Sequence, residues 1–88
     1  MSHDDALLIL TEEIYPFDAR GVAKRFRHAA IFGALSALQA GETMRLCNDH
    51  DPLPLLLQLD GRFSSRIKVT YRKREPGEIV IDFLVTYN

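Results

Sequence analysis

The chain has 88 residues, 47% hydrophobic and 26% charged, with 11 Lys and Arg against 12 Asp and Glu for a formal charge of −1. That length supports one domain around one core, the composition excludes a fibrous or disordered chain, and the near-neutral balance excludes a global field drawing it onto nucleic acid. No run approaches the roughly 18 apolar residues of a membrane span, and the single cysteine, Cys47, excludes an internal disulfide and any multi-cysteine metal set, so a reducing, cytoplasmic setting is expected.

Residues 1–12 read as an N-terminal extension ahead of a single domain over 13–88. After the polar start Ser2-His3-Asp4-Asp5, the run Ala6-Leu7-Leu8-Ile9-Leu10 fits a short strand or a helical turn equally well, and it lacks the length and basic flank of a signal peptide. Residues 13–18 read as a strand on Ile14, Tyr15 and Phe17. Pro16 places it at a sheet edge, where a missing donor faces solvent, and Arg20-Gly21 ends it.

Over 22–39 the pattern turns helical, with Ile31, Leu35 and Leu38 on one stripe, Ala34 beside them and Gly41 as the stop. Traced backward, the stripe meets His28, Arg27 and Lys24, so the first two turns are predicted to point at a mouth or at solvent and not at the core. Residues 42–48 alternate Thr43, Arg45 and Cys47 on one face with Met44 and Leu46 on the other, as a strand does. A helix between two strands predicts a parallel pair with a right-handed crossover, which brings Arg20, the helix start and Asn48 to one end of the sheet.

Residues 52–59 read as a second helix with Asp51 as N-cap, Pro52 at the first position, Leu53, Leu56, Leu57 and Leu59 buried, and Gly61 as the stop. Strands over 66–72, on Ile67, Val69 and Tyr71, and over 78–87, on Ile79, Ile81, Phe83 and Val85, flank the hairpin loop Lys73-Arg74-Glu75-Pro76-Gly77. The predicted fold is an α+β two-layer sandwich in βαβαββ order, two helices on one face of a four-stranded mixed sheet. Thr43, Arg45, Lys68, Thr70 and Asp82 would occupy the other face, solvated or turned to a partner.

Ligands of such sheets gather beyond the carboxyl ends of the parallel strands, where helix N-termini offer unpaired N–H groups. The stretch Asn48-Asp49-His50-Asp51-Pro52-Leu53-Pro54 lies there. Two chemistries fit. His28 and His50 with Asp49 or Asp51 supply nitrogen and oxygen ligands for zinc or iron, though the spacing is not diagnostic. Arg20, Lys24, Arg27 and the helix starts beside Asn48 supply a cradle for a carboxylate or phosphate.

The same residues also fit plain architecture. Asp51 can cap, Asn48 and Asp49 can close an Asx-turn, His50 can bond a neighbouring carboxylate, and Lys24, Arg27 and His28 can be solvated. Cys47 fits a buried or half-buried small hydrophobe as well as a thiol, and Arg72, Lys73 and Arg74, flanked by Glu75 and Glu78, fit a solvated loop. No Ser-His-Asp order, Walker loop or dinucleotide fingerprint occurs, which puts a non-enzymatic binding role ahead of catalysis.

The series Asp18-Ala19-Arg20-Gly21, Arg27-His28 before Ile31-Phe32, Leu38-Gln39-Ala40-Gly41-Glu42, and Asn48-Asp49-His50-Asp51-Pro52 with Pro54-Leu55 and Gln58-Leu59 resembles the bacterial domain-of-unknown-function family twenty-two forty-nine, over residues 17–87. That family is similar in turn to the TusA and SirA sulfur carriers, which share the βαβαββ plan. Those carriers hold sulfur on the cysteine of a Cys-Pro-x-Pro motif at the start of the first helix. Here Lys24-Arg25 stands in that place with neither proline, so the carrier mechanism does not carry over. The resemblance implies instead a binding role in redox, nitric-oxide or iron metabolism, a hemerythrin-like or other redox protein as partner, and His28 and His50 as the positions matching the family's Arg-His and Asp-His-Asp elements.

The expectation is a small cytoplasmic binding domain holding a metal or a small anion where the strand ends meet the helix starts. Sulfur transfer through Cys47 and protein interaction without a ligand are the alternatives.

Overall fold

The computed structural model describes residues 13–86; the extension 1–12, including the run over 6–10, and the strand end at residue 87 lie outside the described residues. The elements follow as β1 (Ile14–Asp18), a 3-10 turn (Ala19–Gly21), α1 (Lys24–Ala37), β2 (Thr43–Asn48), α2 (Leu53–Phe63), a second 3-10 turn (Ser64–Arg66), β3 (Ile67–Glu75) and β4 (Glu78–Val85).

The sheet runs β1-β2-β4-β3. β1 and β2 pair in parallel with Asp18 opposite Cys47, while β4 is antiparallel to both β2 and β3. The four-stranded mixed sheet with two helices on one face is the α+β sandwich expected. β1 lies at an edge, so Pro16 costs the ladder no bond on its open side.

Alternation explains which side is covered. Met44 and Leu46 are 2% and 0% exposed, and Ile79, Ile81, Phe83 and Val85 are at most 4% exposed; these meet Ile31 and Leu35 of α1 and Leu55 and Leu59 of α2. Asp82 breaks the apolar run of β4 on the opposite face, yet it is 6% exposed. Arg45 reaches it from β2 with two bonds of 2.8 and 3.0 Å, and Arg72 from β3 with one of 2.8 Å. Two guanidiniums on one carboxylate are what allow a charge to be buried there.

The helix ends differ from expectation. α1 stops at Ala37, and Leu38 takes an extended conformation as its C-cap. Gly41, with φ +94, serves the turn into β2 and does not stop the helix. In α2, Pro52 and not Asp51 holds the N-cap position, with no side-chain cap bond, while Pro54 sits inside the first turn. Asp51 is engaged elsewhere, as described below. Gly61 lies within α2, which closes at Ser64. Leu53 and Leu57 are 53% and 76% exposed, so the buried stripe is Leu55 and Leu59, with Leu56 half-buried. β3 and β4 extend to Glu75 and Glu78, leaving Pro76-Gly77 as a two-residue turn. Gly77, at φ +79, supplies the positive dihedral that a Pro-Gly turn of this kind needs.

Candidate functional site

The end of β2 and the start of α1 are locked together by one side chain. Arg27, 8% exposed, donates from Nε to the Val22 carbonyl at 2.8 Å, from Nη1 to Asn48 Oδ1 at 3.2 Å and Asp49 Oδ1 at 3.3 Å, and from Nη2 to the Arg20 carbonyl at 3.5 Å. The early turns of α1 are therefore not wholly turned to solvent, and Arg27 is an interior strut. Asn48, 4% exposed, completes the corner by donating from Nδ2 to the His50 carbonyl at 3.0 Å.

Asp49 accepts from His50 Nδ1 at 2.7 Å as well as from Arg27. The His50 hydrogen bond, followed by the Arg27 charge, holds its carboxyl below the usual carboxylate range. His28 reaches across to the second helix, donating from Nδ1 to Gln58 Oε1 at 3.0 Å. Gln58 Oε1 and Asp49 Oδ1 only accept, so each imidazole carries its proton on Nδ1 and, when neutral, keeps a lone pair on Nε2.

These groups surround one cleft of about 160 Å³. Its polar lining is Lys24, Arg27, His28, Asn48 and His50, and its apolar floor is Ile31, Pro52, Pro54 and Leu55. Thus the two rings expected from separate parts of the chain do share a cavity, together with Lys24, Arg27 and Asn48. The Lys24 ammonium is exposed and has no ion-pair partner among the described residues.

The other named positions go elsewhere. Arg20 is clamped by Asp18 through two bonds of 2.8 Å, which hold the Asp18 carboxyl down to about 2, and it offers the cleft's strut its carbonyl and not its guanidinium. Asp51 accepts from the Tyr71 hydroxyl and from Arg74 Nε at 2.8 Å, and the Arg74 guanidinium lies 4.4 Å from the Tyr71 ring centroid. Burial first, and the Asp51 carboxylate next, push the Tyr71 phenol up. Asp51 thus pins the loop to β3, on a neighbouring groove lined by Asp49, His50, Asp51 and Arg74. Among the described residues, no group of three or more His, Cys, Asp and Glu side chains is placed to hold a metal ion.

Cys47 is half-buried on the helix-free face, in step with Thr43 and Arg45, and does not line the cleft. Sequence reasoning missed Gln58 and the floor formed by Pro54 and Leu55. The available signal was the proline-broken start of α2, which leaves Gln58 one turn later on the flank facing α1. Among the described residues no helix is long and apolar enough to cross a membrane.

A family model described as an uncharacterized conserved protein, DUF2249, matches residues 16–85. No curated protein and no solved structure matches the chain.

Proposed function

The chain belongs to the uncharacterized conserved protein family DUF2249, and from that premise we propose that it is a small binding domain whose ligand is a short organic acid held in the cleft between α1 and the Asn48–Asp51 corner. The single observation that supports this reading is the lining itself: an unpaired ammonium at Lys24, the edge of a buried guanidinium at Arg27 and two imidazoles stand over an apolar floor. Asp49, a carboxylate beside the cleft, is already engaged by the Arg27 guanidinium and by the hydrogen bond to His50. An anion entering the cleft meets donors without a competing charge. The volume of about 160 Å³ suits a ligand of a few heavy atoms, a carboxylate with a short apolar tail for the Pro52, Pro54 and Leu55 wall.

A metal is the second reading, favoured by one feature. Both imidazoles have Nδ1 engaged by an oxygen and Nε2 open, the arrangement in which histidine ligates zinc or iron. Two imidazoles alone leave a tetrahedral ion short of protein ligands, and two nearby cations oppose it. The wider picture, a cytoplasmic protein of redox or iron metabolism with a hemerythrin-like partner, and the kinship with TusA- and SirA-like proteins, belongs to this proposal and rests on the resemblance and the shared element order. Sulfur transfer through Cys47 would have to work from the opposite face of the sheet.

The test is thermal shift and NMR titration of protein purified without a histidine tag, against formate, acetate, propionate, lactate and phosphate, with elemental analysis of the same preparation. A short carboxylate is expected to raise Tm and perturb Lys24, His28 and His50. No response to any acid, and unchanged behaviour of the His28→Ala, His50→Ala double variant, overturns the anion reading. Stoichiometric zinc or iron lost in that variant establishes the metal reading in its place.

A further inference from the structure

The cleft between α1 and the Asn48–Asp51 corner presents both hydrogen-bond donors and hydrogen-bond acceptors, and they sit on different side chains. The donors belong to Lys24, Arg27 and Asn48. One N–H of the Arg27 guanidinium remains after its bonds to Val22, Asn48, Asp49 and Arg20. Asn48 gives one amide N–H to the His50 carbonyl and keeps the other. Both residues are buried, at 8% and 4% exposed, so these spare donors are shielded from bulk water. The Lys24 ammonium stands in front of them without an ion-pair partner among the described residues.

The acceptors are the two imidazoles. With Nδ1 committed to Gln58 on His28 and to Asp49 on His50, the nitrogen left to each ring is Nε2, and on a neutral ring that atom only accepts. A carboxylate satisfies Lys24, Arg27 and Asn48, yet it brings two histidine lone pairs nothing to accept. The ligand must therefore supply a donor of its own. An ammonium would place a further positive charge beside Lys24 and Arg27, and a thiol donates weakly, whereas a hydroxyl donates without charge. Its place on the ligand follows from α1. Lys24 and His28 are four residues apart on the helix, which sets their Cβ atoms about 5–6 Å apart on one face. A carboxylate held by the ammonium thus has its next one or two carbons opposite the imidazole.

We propose that the cleft selects a short hydroxy acid, with the hydroxyl on one of the two carbons nearest the carboxylate. The inference rests on the anion reading above and narrows it. The carboxylate is bound by Lys24, Arg27 and Asn48, the hydroxyl donates to Nε2 of His28 or His50, and the remaining carbons lie on Ile31, Pro54 and Leu55.

Calorimetric titration of the full chain, purified without a histidine tag and held at about pH 8, where a free imidazole is neutral, tests it. Glycolate is compared with acetate, and lactate with propionate, pyruvate and alanine. Each hydroxy acid is expected to bind about tenfold more tightly than the same chain without the hydroxyl. Pyruvate, whose keto oxygen only accepts, should bind no better than propionate, and alanine should bind more weakly than lactate. In His28→Leu or His50→Leu, whichever ring takes the hydroxyl, the lactate-to-propionate ratio should fall to within about twofold of one. The ratios in the unmodified chain decide the matter even where a variant does not fold. Equal affinities with and without the hydroxyl would overturn the hydroxy-acid inference and leave the anion reading standing, whereas no binding of any acid would overturn both. A ratio kept in both variants, or alanine binding as tightly as lactate, would also overturn it.

Discussion

Arg27 on the second turn of α1 and Asn48 at the last position of β2 are joined by a buried hydrogen bond of 3.2 Å between residues 21 apart in the chain. This bond, with the arm to Asp49, makes the helix start and the strand end one rigid corner. The cleft is a consequence of that corner: Lys24 and His28 flank the strut on its helix, and His50 follows the Asn48 carboxamide on its loop.

Removing the strut is expected to be costly. Arg27→Ala leaves Asn48, Asp49 and two backbone carbonyls without their donor, and should lower stability by about 2–4 kcal/mol. Arg27→Lys keeps the charge without the fork and should recover less than half of the loss. Urea unfolding of the three proteins checks both values, and an Arg27→Ala chain as stable as the parent would remove the corner as a unit.

The leucines of α2 separate by face. Leu55 is fully buried against the sheet, so Leu55→Ala should cost about 2–5 kcal/mol. Leu57 is 76% exposed, and Leu57→Gln should change stability by no more than about 0.5 kcal/mol. Reversal of that order in paired thermal melts would place the other stripe inside.

Ser64 carries α2 into β3 with φ +54 and ψ −133, a region that suits glycine and strains a residue with a Cβ. Ser64→Gly should therefore raise stability, by about 1 kcal/mol or a few degrees in Tm. Calorimetry reads it directly, and a fall in Tm would mean that the serine hydroxyl matters more than the backbone.

Asp82 ties stability to pH. The two hydrogen bonds from Arg45, and then the one from Arg72, hold its carboxyl below the ordinary value despite the opposing effect of burial. A carboxyl with a lowered folded pKa contributes stability that is fully present above its unfolded pKa of about 3.9, and loses it as pH falls toward the folded value. Asp82→Asn should cost about 1–3 kcal/mol at pH 7 and flatten the acid limb of the stability curve below about pH 4. Denaturant titrations from pH 7 to pH 2 would show it; parallel curves for the two proteins would deny Asp82 this role.

The cleft makes its own prediction. Lys24→Gln removes the unpaired ammonium from an exposed position and should leave the melting temperature unchanged while weakening a bound carboxylate by about tenfold, or 1.4 kcal/mol. Isothermal titration with the acid that gives the largest thermal shift is the measurement. Identical affinity in the variant would take Lys24 out of the site.

The sequence alone determined the architecture, because strands and helices announce themselves by local period. Met44 and Leu46 alternate against Thr43, Arg45 and Cys47, and Ile31 and Leu35 stand one turn apart, so the layers and the parallel β1-β2 pair were legible without coordinates. Chain order likewise carried Lys24, Arg27, His28 and His50 to one edge. The partners of each polar group were decided only by tertiary structure, since a side chain bonds whatever packing puts within about 3 Å and the chain does not encode that locally. Asp51 looked like a cap until β3 offered it Tyr71 and Arg74, and Arg27 looked solvated until the end of β2 closed over it. Leu57 and Leu55 are equally apolar on paper, and only the direction from which α2 meets the sheet selects which one is buried.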